Sequence, residues 1–281
     1  MPNICVVTDS ACDLSASLAE DRGVRVVPLT IRFGTEEFVD RDELSTKEFW
    51  DRVITGSQTP ETAAPAPGAF QQAFLDAHDG GATEVVCITI SSGLSATYQA
   101  ACTAAETVAD RIPVRVVDSL TVTLGEGILV QAALDMIGSG QDVDHVVDSL
   151  EDMKKRTHVY GVFESLDYLR RGGRIGGAAH LVGSLLSIKP VIVVRDGVVE
   201  VESKQRTRTR SLHYLAGKAI DAGPLDRLAV ANGAAGDIEE VVALLQRAEV
   251  AHDMVLGDLG AVVGSHTGPG AVGVCFTRAR A

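Results

Sequence analysis

The chain has 281 residues, enough to bury a large core and to make two domains. Its net charge of −13 argues against nucleic acid as the main partner, and with 46% hydrophobic but only 4% aromatic residues the core must be built from Val, Leu, Ile and Ala. No apolar run reaches the ~18 residues of a membrane-spanning helix, and five cysteines at irregular spacing predict reduced thiols and a cytoplasmic location.

In chain order, MPNICVVTDS lacks a basic leader segment, and its ICVVTDS part, residues 4–10, predicts a strand ending in a turn. After a short helical stretch, VRVVPLTIRF at 24–33 reads as one strand, and STKEFWDRVI at 45–54 as a helix opened by a serine cap. TPETAAPAPGAF at 59–70 reads as a Pro/Ala loop leading into a helix. A β-branched strand at 84–90, a helix at 95–110, a strand at 113–118 and helices at about 124–138 and 142–157 follow. This alternation predicts an α/β domain, residues 1–160, with a mostly parallel sheet and flanking helices. The rest, 161–281, predicts a C-terminal α+β domain. Its strongest local signal is a hairpin turning at Asp196-Gly197, followed by a helix at 211–222, a strand at LAVANGA, a helix at 237–249, and two short strands around a GSHTGPGA loop.

Ligands of open α/β sheets bind beyond the carboxyl ends of strands. Asp9-Ser10, Ser91-Ser92 and Asp118-Ser119 stand there, with Asp13 and Ser119 expected to cap helices. The strand-to-helix turn at Ser91, Ser92, Gly93 and Ser95 predicts free backbone N–H groups beside hydroxyls, an anion site without lysine that suits a carboxylate. His266, in the loop GSHTGPG, is expected to be exposed and to titrate near neutrality, so that it can donate to a carboxylate. Residues 154–210 hold 12 Lys and Arg against 5 acids, a basic patch on an acidic protein. The phosphate-loop and GxSxG patterns are missing, although Ser92, Asp118 and His266 follow the chain order of an α/β-hydrolase triad.

VVTDSACDLS at 6–15, TAAPAPGAF at 62–70, ITISSGLSATYQAA at 88–101, ESLDYLRRGGRIGGAA at 164–179, LLSIKPVI at 185–192 and GSHTGPGAVGV at 264–274 together resemble the DegV family along the whole chain. The resemblance implies a two-domain DegV-like fold and a protein that holds a long-chain fatty acid in an apolar tunnel. It implies no cofactor of its own: a separate fatty acid kinase catalytic subunit, bringing ATP and metal, would phosphorylate the presented carboxylate. Carried over by position, Thr62, Ser91, Ser92 and His266 would bind that carboxylate, and Arg171, Arg174 and Arg206 would neutralise phosphate or dock the kinase. Alanines 63, 64, 66 and 96 depart from the family pattern and leave the tunnel's shape open. Met136, Phe163, Leu181 and Leu185 are taken as tunnel lining. Nucleic acid is not expected as a partner, and membrane contact at most transiently. The second reading is a serine hydrolase or acyltransferase using Ser92 and His266.

Overall fold

The computed structural model describes residues 3–181 and 188–280, so Leu185 lies outside the described residues. The first strand, β1 (Ile4–Asp9), runs through a short 3-10 turn into α1 (Ala16–Asp21), followed by β2 (Arg25–Val27), β3 (Thr30–Phe33), β4 (Glu36–Val39) and α2 (Thr46–Thr55). Next come β5 (Glu61–Ala63), α3 (Pro67–Asp79), β6 (Glu84–Thr89), α4 (Thr97–Thr107), β7 (Val114–Asp118), α5 (Leu124–Gly138) and α6 (Val143–Arg156). The remainder contributes β8 (Thr157–Val162), α7 (Asp167–Arg171), β9 (Lys189–Arg195), β10 (Val198–Gln205), α8 (Arg208–Ile220), β11 (Leu225–Gly233), α9 (Ile238–Leu245), β12 (Val255–Asp258), α10 (Ala261–Thr267) and β13 (Ala271–Arg278).

Three sheets organise these elements. The first is all parallel, in the order β2-β1-β6-β7. Its strands are apolar on both faces, as a sheet covered by helices on both sides requires. Val6 and Ile88 pack towards α5 and α6, while their neighbours Val7 and Cys87 pack towards α3 and α4. The second sheet has six strands, β10-β9-β8-β13-β11-β12, antiparallel except for the β11–β12 pair. One face carries α8 and α9; the other faces a core shared with α2, β3 and α10.

The third sheet, β4-β3-β5, departs from the sequence reading. Residues 24–33 are not one strand. Pro28 cannot donate to a ladder, and on either side of it β2 joins the parallel sheet while β3 turns into the small one. The Pro/Ala loop also contributes a strand, β5, which pairs antiparallel with β3 and sets Thr62 opposite Ile31. Helix α2 forms as expected: Ser45 and Glu48 make a reciprocal capping box at its start. The Asp196-Gly197 hairpin is also present, with φ of 48° and 80° at the two turn residues, both in the left-handed region that a two-residue hairpin of this hand needs. Among the described residues no helix is long and apolar enough to cross a membrane.

Candidate functional site

A narrow cavity of about 100 Å³ lies between the six-stranded sheet and the segments packed on its inner face. Val159 and Gly161 of β8, Ile192 and Val194 of β9, and Gly273 of β13 form the sheet wall. Gly161 stands in register with Ile192 on one side and Gly273 on the other, so two central strands present bare backbone to the cavity. Glycine in a strand interior commonly marks such a close approach. Leu29, Ile90, Val122, Leu259, Val262 and Val263 close the other walls, leaving a lining that is mostly apolar.

Polar groups converge at one place. Strand β5 carries Thr62 to the cavity, and the last turn of α10 carries His266; Thr62 Oγ1 and His266 Nε2 lie 2.9 Å apart. Arg174 lines the same space, held by its Nε donating to the Leu94 carbonyl at 2.9 Å and its Nη1 to the Gly172 carbonyl at 2.7 Å. Thr123 and Thr267 also line the cavity, but their hydroxyls donate to Asp13 and to the Val263 carbonyl. The packing that brings α10 here is aromatic: Phe49 and Trp50 of α2 press against Gly264, and Trp50 Nε1 donates to the Leu259 carbonyl at 3.0 Å.

The environment of His266 differs from the expectation. Its residue is not in an exposed loop but ends a helix, partly buried, with Nδ1 fully enclosed. Burial, reinforced by the nearby Arg174 charge, pulls its pKa down to about 4. At neutral pH the ring is therefore neutral and the positive charge of the site belongs to Arg174.

The serine turn is also corrected. Ser91 is buried, and its hydroxyl donates to the Gly197 carbonyl at 2.7 Å, clasping the hairpin turn of β9 and β10. Ser92 is exposed, and its backbone N–H donates to Asp118 Oδ1 at 3.1 Å. Neither serine lines the cavity; Ser95 does. The N–H groups of residues 91–95 all find acceptors within the protein, on Thr121, Asp118 and Ser91, so the turn is not a free anion nest. With Asp118 engaged by the Ser92 backbone and His266 by Thr62, the Ser92–Asp118–His266 triad is not assembled.

The basic residues separate. Arg174 reaches the cavity, whereas Arg171 is exposed and donates to Thr59 Oγ1 at 2.6 Å, and Arg206 is exposed at the end of the hairpin. Of the residues taken as tunnel lining, Phe163 is one. Met136 lines a different cleft, with Asp135, Met153 and Arg227, and Leu181 packs in a small cluster with Leu166 and Leu169. Asp13 ends the short 3-10 turn with φ of 52° and opens no helix: its carboxylate accepts from the Thr123 hydroxyl at 2.6 Å and from the Gly260 N–H at 3.0 Å, tying the first loop to the segment before α10. Ser119 accepts from the Thr121 N–H, bracing the turn before α5.

Sequence reasoning missed Ser95 as a lining residue, although it stands in the serine turn that drew attention. It also missed Gly161 and Gly273, because their juxtaposition depends on the register of strands 112 residues apart in number.

Comparison with known proteins agrees with this architecture. Residues 3–279 match a family profile described as "Uncharacterised protein, DegV family". A DegV domain-containing protein of Deinococcus radiodurans is 36% identical over 98% of each chain. Among solved structures, one described as fatty acid binding of a DegV family protein from Thermus thermophilus superposes with a TM-score of 0.88 at 32% identity, covering 99% of this chain and 100% of that one. DegV of Bacillus subtilis, described as a fatty acid binding protein, gives a TM-score of 0.86 at 30% identity over 99% and 100% of the two chains. The matched profile, the relatives along the full length and the shared fold establish that this chain belongs to the DegV family.

Proposed function

We propose that the chain binds a long-chain fatty acid in this cavity and presents the carboxylate at Thr62, His266 and Arg174 to a separate kinase subunit, which would form an acyl phosphate. The observation that carries the binding reading is the distribution of polarity: a mostly apolar cavity in which a hydroxyl, an imidazole and a guanidinium converge. Burying each CH₂ contributes roughly 0.8 kcal/mol, so the lining supplies affinity and the polar cluster supplies orientation. Arg174 offers the charge that a carboxylate must meet once removed from water. The fatty-acid-binding descriptions of the Thermus and Bacillus proteins support the same ligand.

In this reading Ser95 joins the head-group site, while Ser91 and Ser92 shape the turn that carries it. Arg171 and Arg206, both exposed, offer charge to a docking kinase, which would bring ATP and its metal. Residues 1–160 and 161–281 act as two domains; the support is that the parallel sheet draws its strands from residues up to Asp118 and the six-stranded sheet from Thr157 onward, slightly before the division.

Trp50 provides the test. It is the single tryptophan, and it is hydrogen-bonded to the cavity-lining Leu259. Titration with a long-chain fatty acid should shift its emission to saturation at one equivalent, and a fatty acid kinase subunit with ATP should then yield an acyl phosphate trapped by hydroxylamine. No spectral change and no retained lipid would overturn the binding reading; binding without acyl phosphate would overturn the kinase role alone.

A further inference from the structure

The chain turns through Gly172-Gly173 between α7 and Arg174, and the two glycines serve different ends. Gly173 has φ of +72°, a left-handed conformation that side chains disfavour. Gly172 has φ −73° and ψ −5°, which any residue adopts. Its lack of a side chain is required by a neighbour instead: a Cβ on Gly172 would lie 2.1 Å from His266 Nδ1 and 2.7 Å from Cε1. The Gly172 peptide is fixed on both sides, its N–H donating to the Tyr168 carbonyl at 2.9 Å and its carbonyl accepting from Arg174 Nη1 at 2.7 Å.

This contact bears on where the imidazole carries its proton. Nδ1 is fully buried and has no hydrogen-bond partner among the described residues. A neutral ring has one N–H and one bare nitrogen. A proton on Nδ1 would be a buried donor aimed at a Cα, and orphaned buried N–H groups are rarer than under-satisfied acceptors. A bare Nδ1 can instead take a weak contact from the Gly172 Cα–H. We propose that Gly172 is a positioning residue of the head-group site: by seating His266 Nδ1 against its bare Cα, it holds the ring in the Nε2–H tautomer, so that Nε2 donates to Thr62 Oγ1 and the Thr62 hydroxyl proton is turned into the cavity. Resting on the fatty-acid reading of the cavity, the inference makes His266 act on the carboxylate through Thr62.

The test joins a spectroscopic signature to an affinity. In ¹⁵N-labelled protein at pH 7, two-bond ¹H–¹⁵N correlations of the imidazoles, with His266 assigned by its loss in His266→Gln, should show Nε2 protonated and Nδ1 bare. Finding the proton on Nδ1 overturns the proposal in the unaltered protein, with no variant needed. Gly172→Ala should disturb the His266 pattern and weaken palmitate binding tenfold or more. Gly173→Ala should lower the melting temperature and leave the His266 pattern as it is. Unchanged affinity and unchanged ring signals in a folded Gly172→Ala protein would overturn the proposal as well. If the unaltered protein takes up no fatty acid, the proposed function falls, and the tautomer result still decides the role of Gly172 on its own.

Discussion

At the scale of single residues, the pairing of Thr62 with His266 carries the most weight, because it joins a three-residue strand to a short helix 204 positions away. A hydrogen bond to a charged group contributes roughly 1.5–3 kcal/mol. Thr62→Ala should therefore weaken fatty-acid binding about ten- to a hundredfold, and His266→Ala should weaken it too, by releasing the Thr62 hydroxyl it orients, both read by calorimetric titration with the thermal midpoint within a few degrees of the unaltered protein. Affinity unchanged in both would remove the pair from the head-group site. These residues and Arg174 were legible in the sequence through motif blocks. The protonation state was not: His266 is neutral because of neighbours that its own loop does not reveal.

The buried carboxyls give a second prediction at this scale. Burial pushes Asp13 up to about 7 and Asp9 up to about 6, partly offset by the hydrogen bonds each accepts, and it pushes Glu126 up as well. Asp9 and Asp13 in the folded chain then keep protons that the unfolded chain releases near 3.8, so the stability these two contribute is lost as pH rises from about 4 to about 7. His266 runs the other way. Its folded value of about 4 against an ordinary 6.5 contributes stability that is present above 6.5 and lost as pH falls towards 4. Asp13→Asn removes one titrating group while keeping an acceptor for the Gly260 N–H. Urea unfolding from pH 4.5 to 8 should show the unaltered protein losing stability relative to this variant as pH rises. Parallel curves would mean that Asp13 is ionised throughout.

At the scale of elements, alternation and turn chemistry were legible where local signals were strong. Helix α2 had its cap, the β9–β10 hairpin had its Asp-Gly turn, and β6 had its β-branched run. Legibility failed where tertiary pairing decided the outcome. Strand β5 is a strand only because β3 lies beside it, and β3 leaves the parallel sheet because Pro28 interrupts the ladder. The hairpin turn also clasps the serine turn, with Gly197 held by the Ser91 hydroxyl. A Cβ on Gly197 would sit 2.5 Å from Ser91 Oγ at a φ of +80°. Gly197→Ala should thus cost about 2–4 kcal/mol from backbone strain and the lost clasp, measured by urea unfolding, whereas Ser91→Ala should cost about 1–2 kcal/mol through the two hydrogen bonds of that hydroxyl, to the Gly197 carbonyl and from the Gly93 N–H. Equal costs would show that the strain is relieved elsewhere.

At the scale of the molecule, the two larger sheets are the frame, and the cavity lies between the six-stranded sheet and the segments packed on its inner face. The fold class was legible from β-α alternation followed by antiparallel hairpins, and the family from blocks spread along the chain. The cavity lining was not, since an aliphatic residue reads the same in a core and in a tunnel wall; Met136 and Phe163 were indistinguishable until the sheets were assembled. The central claim is that this cavity holds one fatty acid. Native mass spectrometry of the purified chain, with the released ligand identified, tests it most directly. The account predicts one long-chain fatty acid per chain, either carried through purification or taken up on incubation. A chain that stays at its own mass after incubation with saturated and unsaturated long-chain fatty acids would contradict it.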